Sequence, residues 1–82
     1  CNVNLPSASS VASMFGYSSL PSDFAYMFTL FYSYNWGGHI NIMNVRNQNG
    51  GTSSYGMERG DSLTLLCCNY PSFHYQVLNY NG

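Results

Sequence analysis

Residues 24 to 34 place an aromatic or aliphatic side chain at every second position. The members of this row are Phe24, Tyr26, Phe28, Leu30, Tyr32 and Tyr34. A spacing of two is the period of a β-strand, and aromatic residues are enriched in strands. A helix that begins at Asp23 is the alternative, but the segment lacks charged helix-forming residues. The row therefore favours a strand, and with it a sheet.

Four further segments of strand length follow, and turn-forming residues separate them. The segments are residues 39–46, 52–57, 62–69 and 73–80, with turns at 47–51, 58–61 and 70–72. The Asn49-Gly50 pair supplies the positive φ of a hairpin turn. The apolar pattern changes parity at Met43, which indicates a bulge or burial on both faces.

These segments predict an all-β fold, a small sandwich or barrel of about five or six short strands. Residues 1–10 are small, polar and interrupted by Pro6, so they predict an extended N-terminal arm. Residues 11–82 are expected to form a single β domain.

Charged side chains are scarce, with two basic residues, three acidic residues and a net charge of −1. Two arginines neutralise too few phosphates for useful nucleic-acid affinity. The most apolar stretch, residues 24–34, is shorter than the roughly 20 residues of a membrane-spanning helix. Copies of such a chain repel one another weakly, and without lysine the strand edges lack a common protection against pairing. The composition thus favours self-association.

The cysteines indicate an oxidising compartment. The sequence starts at Cys1 rather than Met, which suggests a processed form, and we expect an extracellular or cell-surface location. Cys67 and Cys68 are adjacent, so on a strand their side chains point to opposite faces. One of them is therefore expected to form a disulfide, most simply with Cys1, and the other to be a buried thiol. A lipid-modified Cys1 is the lower-ranked alternative.

No catalytic set or metal site is expected. The segment Gly60-Asp61-Ser62-Leu63 spells the signature of the GDSL esterases, but a turn followed by a strand start explains it better. His39, His74 and the two vicinal cysteines lack the spacing of a zinc site. We therefore expect a protein that is not an enzyme and that needs no cofactor or metal.

The C-terminal segment resembles the Greek-key motif of the βγ-crystallins, in which an aromatic residue is followed five positions later by another and then by x-Gly. Here the motif is Tyr75 to Tyr80-Asn81-Gly82. Residues 31–38 are loosely similar, with Trp36 as the second aromatic, and Asp61-Ser62 matches a further position. The resemblance covers about a quarter of the chain and implies a small secreted binding module. Such a module would bind calcium, or carbohydrate if it is lectin-like.

The leading hypothesis is a structural subunit of an extracellular fibre or similar polymer, which associates with copies of itself through β-strand and aromatic contacts. Carbohydrate is a further candidate partner. The expected assembly surface consists of Phe24, Tyr26, Phe28, Tyr32 and Tyr34. The N-terminal arm is expected to pack on a neighbouring subunit by strand addition.

Overall fold

The computed structural model describes residues 1–33 and 38–82. Six strands and one helix lie in these ranges: β1 (Asn2–Asn4), α1 (Ala8–Met14), β2 (Ala25–Phe31), β3 (Ile40–Arg46), β4 (Thr52–Met57), β5 (Ser62–Cys68) and β6 (His74–Asn81). The predicted all-β class is confirmed, as are the strands expected around residues 24–34, 39–46, 52–57, 62–69 and 73–80. Tyr34 and Trp36 lie outside the described residues.

The strands form one curled sheet, a half-barrel with the order β1-β3-β6-β5-β2, and β4 pairs with β3. β5 lies between β6 and β2 and is antiparallel to both. Its residues Leu63, Leu65 and Cys67 are almost fully buried, because their side chains share the concave face of the curl. β1 pairs in parallel with the first half of β3, and β6 meets β3 at Arg46.

The hydrophobic core fills the concave side of the sheet. Its buried members are Val11, Ile42, Val45, Met57, Leu63, Leu65, Cys67, Tyr75 and Val77. The helix α1 covers part of this core with Val11 and Ala12, which are 4% and 2% exposed. Apolar residues of β1 and β2 complete the cluster from the two sides of the curl.

The predicted turn and bulge are both present. The N–H of Asn47 donates to the carbonyl of Gly51 over 2.8 Å, and Gly50 has a φ of +90°. The pairing of β3 with β4 shifts register between Ile42 and Val45, where Asn44 has a φ of +59°. The change of parity at Met43 in the sequence is therefore a β-bulge.

The N-terminal arm differs from the expectation in two ways. Its extended part is short, because Ser7 caps α1 and accepts the N–H of Ser10, so that residues 8–10 are helical. Its strand β1 pairs with β3 of the same chain, and the hydroxyl of Tyr75 donates to the carbonyl of Pro6 over 2.6 Å. The expectation that the arm packs on a neighbouring subunit finds no support in this arrangement, because the arm already pairs with β3 and contacts Tyr75 of its own chain.

Within the described residues, no helix has the length and apolar character required to cross a bilayer.

Candidate assembly surface

The strand that carries the aromatic row, β2, is the terminal strand of the described sheet and pairs only with β5 among the described strands. The carbonyl of Phe24 accepts the N–H of Asn69 just before β2, and the N–H of Tyr32 donates to the carbonyl of Asp61 just after it. In an antiparallel ladder, every second residue turns both its N–H and its C=O towards the same neighbour. The even-numbered residues of β2 therefore direct their backbone N–H and C=O groups towards β5.

The odd-numbered residues of β2 direct their backbone groups away from β5. These residues are Ala25, Met27, Thr29 and Phe31. Each offers one N–H and one C=O along the outer edge of the strand. A strand from another molecule that approaches this edge would find a complete ladder of donors and acceptors.

The aromatic row itself lies on the concave side. Phe24, Phe28 and Tyr32 are half-buried, and Tyr26 is 49% exposed. The ring of Phe28 contacts that of Tyr75 edge-on with 6.1 Å between centroids. The row is therefore partly core and partly surface.

The opposite face of β2 is more exposed than the row. Met27 and Phe31 are 64% and 63% exposed, although both are large and apolar. Near the concave face, the exposed ring of Phe15 packs edge-on against Phe24 and Tyr26, each at 5.1 Å. The assembly surface predicted from the sequence included none of Met27, Phe31 and Phe15.

The open side of the half-barrel is apolar and runs beside the outer edge of β2. A cleft of about 430 Å³ lies between residues of β1 and β2, with Val3, Leu5, Leu30 and Phe31 among its walls. A second cleft of about 390 Å³ lies between α1 and β2. The surface around β2 therefore combines unpaired backbone groups with uncovered apolar area.

The edge strand β4 is more polar than the edge strand β2. Its first residues, Thr52, Ser53 and Ser54, are polar. The hydroxyl of Tyr80 donates to the carbonyl of Gly56, and its ring packs against Tyr55 at 5.0 Å. This edge is therefore polar and partly capped.

The three cysteines carry free thiols in the structure. Cys1 is exposed, Cys67 is buried in the core and Cys68 is half-buried on the other face, as the alternation predicts. Burial raises the pKa of the Cys67 thiol, and a hydrogen bond with Tyr75 offsets this only in part. Burial likewise raises the pKa of the Tyr75 hydroxyl. The disulfide with Cys1 stays a prediction.

A polar cluster on the outer face brings together Cys68, His74 and Arg46. The Nδ1 atom of His74 lies 2.7 Å from the carbonyl of Ser72, which only accepts, so Nδ1 carries the proton and Nε2 is the acceptor. The Sγ atom of Cys68 lies 3.2 Å from Nε2, and Nη1 of Arg46 lies 3.3 Å from it. The cluster thus holds the thiol of Cys68 in a hydrogen bond and ties three neighbouring strands together.

His39 is not among the hydrogen-bond partners of this cluster, and its backbone carbonyl accepts from the N-terminal ammonium at 3.2 Å. In the described ranges, no three His, Cys, Asp or Glu side chains lie close enough to bind a metal ion. Two of the loop oxygens stabilise the loops themselves. Oδ2 of Asp61 accepts the N–H of Glu58 at 2.8 Å, and Oδ1 of Asn47 accepts two backbone N–H groups.

Comparison of the chain with protein-family models, with curated proteins and with solved structures finds no match.

Proposed function

We propose that this chain is a non-enzymatic structural subunit that associates with copies of itself into an extracellular fibre or similar polymer. The observation that carries the proposal is the outer edge of β2, where four residues offer backbone donors and acceptors beside exposed Met27 and Phe31. Native β proteins usually protect such an edge with lysine, proline or a bulge. Here no charged residue lies between Asp23 and Arg46.

The low charge of the whole chain supports the same proposal. With a net charge of −1, copies approach one another without appreciable repulsion. Exposed Tyr and Phe rings near β2 add apolar area, and aromatic residues are enriched in the cores of protein interfaces. The extracellular location belongs to the proposal and rests on the expected disulfide. No specific observation favours the calcium-binding or carbohydrate-binding alternative.

The substitution Met27→Lys tests the proposal. It places a charge at the middle of the β2 edge on a side chain that is 64% exposed, so the fold tolerates it. Light scattering coupled to size exclusion, with electron microscopy of negatively stained samples, should show polymers for the unaltered chain and, for the variant, no species larger than a dimer of the 9.1 kDa chain.

Leu78→Lys is the matched control. Leu78 is a 39% exposed aliphatic residue on β6, which β5 separates from β2, so its substitution should leave assembly unchanged. An unaltered chain that stays monomeric at all concentrations, or a Met27→Lys variant that assembles normally, would contradict the proposal.

A further inference from the structure

The outer edge of β2 can pair completely with the same edge of a second copy. Its outward-facing residues, Ala25, Met27, Thr29 and Phe31, are spaced evenly about Phe28. Two copies of this edge placed antiparallel, with a two-fold axis at Phe28, bring Met27 opposite Thr29 and Ala25 opposite Phe31. These are hydrogen-bonded pairs in which each residue exchanges both of its backbone groups with its partner.

We propose that β2 of one copy pairs antiparallel with β2 of a second copy about a two-fold axis at Phe28. The inference rests on the proposed function and names the partner, the strand and the register. Four residues per copy each supply one donor and one acceptor, so the pairing makes eight hydrogen bonds and uses every outward group of β2. The result is a continuous sheet through two half-barrels.

Neighbouring registers pair fewer groups. A shift by two residues in one direction places Phe31 opposite Asp23, outside the strand, and a shift in the other direction places Ala25 opposite Ser33. A shift by one residue places the outward groups of one copy opposite even-numbered residues of the other, whose own backbone groups already face β5. The symmetric register is therefore the one that satisfies the whole edge.

Side chains on both faces are compatible with this pairing. On the concave face, Phe28 meets Phe28 of the second copy, and Tyr26 lies opposite Leu30. On the outer face, the exposed Met27 and Phe31 of the two copies form one apolar row. The paired strands carry no charge, so no like-charge contact opposes the two-fold arrangement and no charged partner is favoured.

A two-fold interface closes on itself, because both copies use the same surface. The paired dimer is then the building block of the polymer, and growth requires a second surface. Among the described strands, β4 is the other terminal strand longer than three residues.

Disulfide trapping tests the register. The parent chain carries Cys1→Ser and Cys68→Ser, and its remaining native cysteine, Cys67, is buried. One preparation of this parent adds Met27→Cys, and a second preparation adds Thr29→Cys. The two chains are mixed with oxidised glutathione as the oxidant. Residues opposite each other in a hydrogen-bonded pair have Cα atoms about 5.5 Å apart, within the range of a disulfide. Ala25→Cys with Phe31→Cys is an independent second pair.

We expect both designed pairs to form mixed dimers about tenfold faster than the mismatched pair Ala25→Cys with Met27→Cys, because pairing holds the matched thiols at a high effective concentration. Assembly in which the mismatched pair bonds as fast as the designed pairs would overturn the register and leave the proposed function standing. A disulfide between Met27→Cys and Ser54→Cys would also overturn the proposed β2–β2 pairing and leave the proposed function standing. It would show that β2 of one copy pairs with β4 of the next, a head-to-tail contact. Chains that remain monomeric would overturn both.

Discussion

Two side chains of the hydrophobic core, Cys67 and Tyr75, carry titratable groups. Burial raises the pKa of the Cys67 thiol above its ordinary value of 9.0, and burial together with the neighbouring thiol raises the pKa of the Tyr75 hydroxyl above 10.0. Both groups are neutral when protonated, so the folded state favours the protonated forms. The consequence is a dependence of stability on alkaline pH.

We predict that the free energy of unfolding falls as the pH rises above about 9. Above that pH the unfolded chain releases protons that the folded chain retains, which costs at most about 1.4 kcal/mol per pH unit for each group. Chemical denaturation under reducing conditions between pH 7 and 11 measures the effect.

Tyr75→Phe provides the control for this prediction. It should lower stability at neutral pH, because the carbonyl of Pro6 loses its hydrogen-bond donor, and it should flatten the decline above pH 10. Stability that is independent of pH from 8 to 11 in the unaltered chain would contradict the assignment.

At the scale of elements, the bulge in β3 depends on one residue. Asn44 has a φ of +59°, a conformation that favours Gly and Asn, and its Nδ2 donates to Oδ1 of Asn4 over 3.0 Å. This contact joins the bulge to β1. The bulge thereby helps to place the N-terminal strand on its own chain.

We predict that Asn44→Ala is less stable than Asn44→Gly by about 1 kcal/mol. Both variants lose the hydrogen bond to Asn4, so the difference between them reports the backbone conformation alone. Thermal or chemical unfolding of the two variants measures it. Equal stabilities would show that the bulge does not constrain residue 44.

Local patterns predict most of the elements because their periods and turn residues are local properties. The Asn49-Gly50 turn and the alternation in β5 are read directly from neighbouring residues. The helix α1 was missed, since residues 8–14 are mostly small and polar and only Ser7 marks the start. The exposure of Met27 and Phe31 does not follow from local patterns, because it depends on which face of the sheet other segments cover, and that is decided by contacts between distant segments.

At the scale of the whole molecule, the described residues of the half-barrel leave one side of the core uncovered. A chain of this length buries only about 60–65% of the surface that its unfolded form exposes. The clefts beside β2 add apolar surface that residues 1–33 and 38–82 leave open. Pairing with a second copy would cover part of this surface and would stabilise the subunit together with the assembly.

Residue-resolved hydrogen exchange of the β2 amides, measured in dilute and in assembled protein, tests the central claim most directly. In the monomer, the amides of Tyr26, Phe28 and Leu30 should be protected by β5, whereas those of Met27, Thr29 and Phe31 should exchange rapidly. In the assembled protein, the second group should become protected as well. Rapid exchange of Met27, Thr29 and Phe31 in assembled protein, or their protection in the monomer, would contradict the claim that the outer edge of β2 joins the subunits.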